Sequence, residues 1–224
     1  MAFNFNKYVN DFVGKYKGDV NGRYKSYDHC RKCFLDNKDN PVMYDLITLH
    51  LYAYLASWGM LRNSFLLQKD YLFNKPVVEI LCDKKYSQLV NFDPFAQNIV
   101  DDLKLIMELK EEIINYYTIG KTYIDPETGK TITIKNVTDT LVSKIILGTL
   151  GCVPAYDNFL VKGLRNSGIV GTFNLKSLNG IINCVKPDKA HIDIVCNDLD
   201  KSNNYKNLYT PMKIIDAYFW EYGY

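Results

Sequence analysis

The 224-residue chain lacks any apolar run long enough to cross a bilayer. Asp, Lys or Arg interrupts every such run well before the ~18 residues that a span requires. It also lacks a basic segment followed by an apolar stretch at its start, Met1-Ala-Phe-Asn-Phe-Asn-Lys7, so no secretory signal is expected. Glycine and proline are few, 13 and 7, which excludes a linker-rich or fibrous chain. Neither sign of charge dominates: 27 Lys and Arg face 25 Asp and Glu, a net +2, which excludes the cationic excess of a general polyanion binder. Together these absences predict a cytoplasmic protein with no membrane partner.

What is present is an ordinary globular composition, 47% apolar and 23% charged. A chain of this length buries roughly 70% of its unfolded surface, enough for one core that needs neither disulfide nor metal. The six cysteines, at 30, 33, 82, 152, 184 and 196, are even in number. Without an export signal they read as reduced thiols packed as small hydrophobes. Tyrosine, at 18 residues, accompanies abundant Asn, Lys and Ile, and compositional drift accounts for it as well as function does.

Helix punctuation recurs along the chain. Asn40-Pro41 opens a run from Val42 to Trp58 in which apolar residues fall at three- and four-residue steps, and Gly59 stops it. Asn74-Lys75-Pro76 introduces a second helix whose apolar positions extend to Leu89 and Val90. Asp93-Pro94 starts a third that runs to about Tyr117, its outer face carrying Asp101, Asp102, Glu108, Glu111 and Glu112. Lys25 to Asn37 reads as one helix capped by Ser26. Thr138, Asp157, Asn174 and Thr210-Pro211 each precede a further helix. The segment with strand character is 121–135, where Thr122-Tyr-Ile and Thr131-Ile-Thr-Ile flank the turn-rich Asp125 to Lys130. The fold class predicted is all-α: a single compact domain over 1–224 with a small β-hairpin inserted near 121–135.

Several chemistries fail on spacing. Gly-Lys-Thr occurs at 120–122 and 129–131, but Asn115 and Ile124 stand where a phosphate-cradling loop needs its leading Gly. His29-Cys30-Arg-Lys-Cys33 has no second ligand pair, so a zinc site is not expected, nor is a cofactor. Cys152, Asp157 and His191 lack any signature of a nucleophile triad. Two segments stand out. Gly148 and Gly151, then Pro154 and Asp157, suggest an abrupt turn between helices. Such a turn either lets two helices approach or points N–H groups at an anion, with Lys144, Lys162 and Arg165 as nearby cations. Trp58 and Arg62, on either side of Gly59, suggest a stacking and hydrogen-bonding pocket, or a core tryptophan beside a cation that caps the preceding helix.

Two blocks carry a family resemblance: Gly148-Thr-Leu-Gly-Cys-Val-Pro-Ala-Tyr-Asp157 and Thr210-Pro-Met-Lys-Ile-Ile-Asp-Ala-Tyr-Phe-Trp220. Both resemble stretches of uncharacterised bacterial proteins that are themselves similar to a degenerate branch of the helix-hairpin-helix DNA glycosylase superfamily. The resemblance implies an all-helical fold whose hairpin touches a nucleic-acid backbone. It departs from the family in placing Gly148 and Gly151 three apart, in the interval before Asp157, and in having no four-cysteine cluster, so no glycosylase activity is carried over.

The leading expectation is therefore a helical protein of bacterial type serving as a non-catalytic nucleic-acid-binding scaffold. Residues 7–38, with eight Lys and Arg against four Asp, supply the clearest electrostatic footprint. The alternatives are an enzyme acting on a base or nucleotide, with a pocket near Trp58, Arg62 and Asp157, and a protein-interaction module, as a homodimer, using exposed aromatics.

Overall fold

The computed structural model describes residues 4–224 of the chain, so the first three residues of the expected domain lie outside the described part. Asn4 opens α1 (Phe5–Gly18), its side chain accepting from Lys7 N at 3.1 Å. Phe5, Val9, Phe12 and Tyr16, at steps of four, three and four, form the buried stripe. α2 (Lys25–Asn37) follows a tight turn. Ser26 does not cap it: its hydroxyl donates back to Arg23 O, because the chain already turns helically at Tyr24 and the first amides bond to turn carbonyls. Asn40 does cap, accepting from Val42 N, and Pro41 leads through a 3-10 turn into α3 (Tyr44–Ser57). Gly59 ends that run at φ +74°, a conformation open to a residue without Cβ.

Two expected helices are shorter than their apolar patterns. α4 (Lys75–Leu81) stops at Cys82, because Asp83 accepts from Lys85 N and starts a separate 3-10 segment, Lys84–Asn91, which buries Leu89 and Val90. α5 (Val100–Thr118) begins seven residues after Asp93, whose carboxylate instead closes a turn on Phe95 N. Beyond that point Leu103, Ile106, Leu109, Ile113 and Tyr117 are buried as their spacing predicts.

The hairpin pairs β1 (Thr122–Ile124) with β2 (Thr131–Thr133) antiparallel, Tyr123 opposite Ile132. Its loop is held by Asp125, which accepts from the amides of Glu127 and Thr128 and from the Thr128 hydroxyl. The second half of the chain is helical again: α6 (Asp139–Thr149), α7 (Asn158–Asn166), α8 (Leu175–Val185), α9 (Lys189–Ser202) and α10 (Pro211–Gly223). Thr138, Asp157, Asn174 and Thr210 each cap the helix that follows them. This is a mainly helical domain with one two-stranded hairpin, and among the described residues no helix is long and apolar enough to cross a membrane.

Two helices set the architecture. Every residue of α6 from Leu141 to Thr149 is buried, as is every residue of α10 from Met212 to Phe219. A helix enclosed on all sides is central, and α10 is packed by α7, α1 and α9. The α7–α10 approach is the closest: a Cβ on Gly163 would collide with the Phe219 carbonyl, and one on Gly223 with the carbonyl of Phe159. The buried apolar residues form one contiguous cluster from Phe5 to Phe219.

Candidate active site: a lysine–aspartate crevice

Because α6 and α10 are enclosed, any charge they carry must find a partner inside the fold. Three such residues are Lys144 on α6 and Lys213 and Asp216 on α10, 4%, 6% and 6% exposed. They meet Asp157, the cap of α7, around a crevice walled by Trp58, Tyr24, Tyr54 and Trp220. Lys144 Nζ lies 3.5 Å from Asp157 Oδ2, 3.4 Å from the carbonyl oxygen of Trp58 and 5.4 Å from its ring centroid. Lys213 Nζ donates to Asp216 Oδ2 at 2.7 Å and stands 5.1 Å from the Tyr27 ring and 6.0 Å from that of Trp58.

The carboxylates are fixed from behind. Asp157 Oδ1 accepts from the amides of Phe159 and Leu160, leaving Oδ2 for Lys144. Asp216 Oδ1 accepts from Ala155 N at 2.9 Å, which ties the segment before α7 to α10. Trp58 is oriented by its indole N–H donating to Ser26 Oγ at 3.1 Å and by an edge contact with Tyr24. Burial pulls the Lys144 amine below its ordinary pKa, against the attraction of Asp157 and Asp216, and Lys213 pushes in the same direction as burial. Burial raises Asp157, opposed by Lys144 and the Leu160 amide and reinforced by Asp216. Lys144 therefore gives up its proton more readily than a free lysine, and Asp157 holds one more readily than a free aspartate. The space left among the side chains is about 20 Å³ for the centre of a water molecule, so a larger ligand requires the mouth to open.

Of the residues singled out in the sequence, Trp58, Lys144 and Asp157 come together here. Gly148 stands behind them: a Cβ there would lie 2.5 Å from Tyr54 Cε1, so its role is close packing of a crevice wall. Gly151, at φ +67°, faces away, against the Arg31 guanidinium and Thr210. Lys162 and Arg165 are exposed on α7 and absent from the crevice. Arg62 is exposed and lines a separate cleft with the hairpin residues Tyr123 and Ile132. The turn from 150 to 156 is wholly buried, with Ala155 N bonded to Asp216 and Tyr156 N to Ser143 Oγ. Of the two readings of this turn, close packing is the one its geometry supports, since the amides of Ala155 and Tyr156 are bonded inside the protein and not offered to a phosphate.

The basic stretch 7–38 is also partly turned inward. Arg31 is fully buried and donates to the carbonyls of Thr149, Leu208 and Asn207 at 2.5, 3.0 and 3.2 Å, holding the end of α6 to the segment before α10. Lys15 pairs with Glu221, Lys25 lies near Asp28, and Lys38 pairs with Asp39. Cys30 and Cys33 are buried thiols on α2, the former raised by burial, and among the described residues no group of three or more His, Cys, Asp or Glu is placed to hold a metal.

Lys213, Asp216, Tyr24 and Trp220 were not identified from sequence. The available signal for the α10 pair was a lysine and an aspartate one helical turn apart inside Met212-Lys-Ile-Ile-Asp-Ala-Tyr-Phe219, otherwise free of charge. Comparison of the chain with family models, curated proteins and solved structures gives no match.

Proposed function

We propose that the chain is an enzyme acting on a base or nucleotide, with the planar ring held against Trp58 and Lys144 as the reacting amine. The observation that carries this reading is a buried lysine, its pKa lowered, paired with a capped aspartate at the floor of a crevice walled by aromatic rings. Aromatic walls favour flat, polarisable rings, and convergent charged groups give them orientation. As a neutral amine Lys144 takes a proton from the ligand and becomes an ammonium, which the Asp157 carboxylate holds in place.

The two blocks through which the chain resembles the helix-hairpin-helix glycosylase branch supply Asp157 on one side of the crevice and Lys213, Asp216 and Trp220 on the other, which favours a base that is free or turned out of a nucleic-acid strand. The non-catalytic scaffold is the weaker reading, since Arg31, Lys15, Lys25 and Lys38 of the basic stretch have partners within the protein.

Both tryptophans of the chain line the crevice, so intrinsic fluorescence reports on it. Nucleosides and short single-stranded oligonucleotides are expected to quench that fluorescence saturably, and mass spectrometry of the incubated ligand to reveal a product that Lys144→Met does not form. Saturable quenching with identical turnover in wild type and Lys144→Met would refute the catalytic assignment.

A further inference from the structure

Beside the crevice lies a second cleft of about 450 Å³, between the turn that joins α1 to α2 and the outer face of α3. The two share Tyr54 and are separated by Arg23, whose guanidinium carbon is 4.8 Å from the Trp58 ring centroid and 5.9 Å from that of Trp220. The wall of the second cleft carries Arg23, His29, His50, Asn21, Ser26 and Ser57, and no carboxylate. Lys25 contributes only its stem, because its ammonium is turned to the Tyr16 ring at 3.4 Å and to Asp28 at 3.8 Å.

Among the described residues Arg23 has no ion-pair or hydrogen-bond partner for its guanidinium. Its cationic neighbour at the rim, Lys15, is different: it is neutralised by Glu221 at 2.6 Å. An exposed arginine resting on two indoles retains all its donors for a ligand, and its planar fork matches a phosphate. Asn21, His29 and His50 offer further donors, whereas the Ser26 and Ser57 hydroxyls are spent on the carbonyls of Arg23 and Ala53, and a wall without carboxylates favours an anion.

We infer that the ligand of the crevice bears a phosphate, which occupies the second cleft and is read by Arg23 while the ring lies beside Trp58. This rests on the crevice being a base-binding site. Arg23 serves two ends: in the free protein it covers the mouth by stacking on Trp58 and Trp220, and on binding it exchanges that contact for the phosphate. The phosphate belongs either to a free nucleotide or to a nucleic-acid strand, since the recognised chemistry is the same.

The test compares nucleosides with their monophosphates on the full chain by fluorescence titration, in wild type, Arg23→Ala and Arg23→Lys. In wild type the monophosphate is expected to bind roughly tenfold or more tightly than the nucleoside, the worth of a charge-assisted hydrogen bond. Arg23→Ala is expected to abolish the difference between monophosphate and nucleoside, and Arg23→Lys to restore part of it. Equal binding of nucleoside and monophosphate by wild type, or a difference that survives Arg23→Ala, overturns the inference and leaves the base-binding reading standing. Binding of neither ligand removes both. A parallel titration with a short single-stranded oligonucleotide assigns the source: tighter binding than the monophosphate, with the same dependence on Arg23, points to a strand, and equal or weaker binding points to a free nucleotide.

Discussion

Replacing Gly163 by alanine tests the packing on which the crevice depends. Its added Cβ would lie 3.1 Å from the carbonyl carbon of Phe219 and closer still to the oxygen, both main-chain atoms of α10 that no side-chain rotation can move aside. Ordinary carbon contacts begin near ~3.5 Å, so α7 and α10 must part by about 1 Å. Overpacking of this kind costs about 2–3 kcal/mol, which the roughly 1 kcal/mol that alanine returns in helix propensity reduces to a net loss of about 1–2 kcal/mol. For a chain of this length the melting temperature is expected to fall by roughly 2–8 °C. The displacement also carries Asp157 away from Lys144, whose 3.5 Å contact has no slack, so ligand quenching should weaken in the folded variant. Gly14 provides the control. It is mid-helix in α1, and a Cβ there would meet nothing within 4 Å, so Gly14→Ala is expected to stabilise by about 1 kcal/mol. Calorimetry or thermal circular dichroism reads both. A Gly163→Ala melt within ~1 °C of wild type, well below the fall expected, would refute the reasoning.

Lys144→Met leaves Asp157 buried without its partner and should cost about 3 kcal/mol in urea titrations near neutrality. Because burial already raises the Asp157 pKa above 3.8, and loss of the lysine raises it further, the folded variant takes up a proton before the unfolded chain does. Its deficit should therefore shrink as pH falls through that folded value toward 3.8, and Lys144→Met/Asp157→Asn should be less destabilised than the single variant at neutral pH; additivity of the two changes would contradict the pairing. Arg31→Met removes the donors of the buried carbonyls of Thr149 and Leu208 and of the part-buried carbonyl of Asn207, and should destabilise by about 3–5 kcal/mol, with Arg31→Lys failing to recover it because an ammonium lacks the planar fork. At alkaline pH, burial and hydrogen bonds to Asp28 and Asp36 push the Tyr16 and Tyr205 phenols from 10.0 up to about 12. The folded state keeps protons there that the unfolded chain has lost, so stability should decline from pH 10 upward. Ultraviolet titration that ionises every tyrosine near pH 10 without unfolding would contradict this.

Helix starts were legible wherever a capping side chain preceded an apolar stripe, as at Asn40-Pro41, Thr138, Asp157, Asn174 and Thr210-Pro211, because the cap is a local interaction written in two or three residues. The breaks at Cys82 and between Asp93 and Val100 were not. There an aspartate restarts or closes a turn within a pattern that stays periodic, and tertiary packing decides which reading holds. α1 and α9 were not read as helices although Phe5-Val9-Phe12-Tyr16 and Ile192-Val195-Cys196-Leu199 have helical spacing, masked by polar intervening residues. For the site, one pocket near Trp58, Arg62 and Asp157 was expected and Lys144 was read beside the 148–157 turn; that Lys144 faces Trp58 while Arg62 lines another cleft depends on how α3, α6 and α7 pack, which spacing along the chain does not encode. Arg31 was taken into a surface charge count because nothing local marks an arginine that holds three distant carbonyls.

The charges around Trp58 are hard to explain as stabilisers. Asp157 caps α7 through Oδ1 alone, and α6 would be helical and buried with an apolar residue at 144, as it is on both sides of that position. A buried ion pair is commonly matched or exceeded in stability by apolar residues of similar volume, so two such pairs placed side by side impose a desolvation cost for little return. The cost is concentrated where rings from α3, α10 and the α1–α2 turn wall a narrow crevice. Elsewhere in the core the buried polar groups behave differently: Arg31 and Thr210 donate to main-chain carbonyls of other segments, and Ser143 accepts from the Tyr156 amide, so each ties segments together. Lys144 has one such contact, at 3.4 Å, and is otherwise directed at Asp157. The proposed binding of a planar ring, once the mouth opens, supplies the reason that folding does not for two lysines and two aspartates gathered among aromatic side chains.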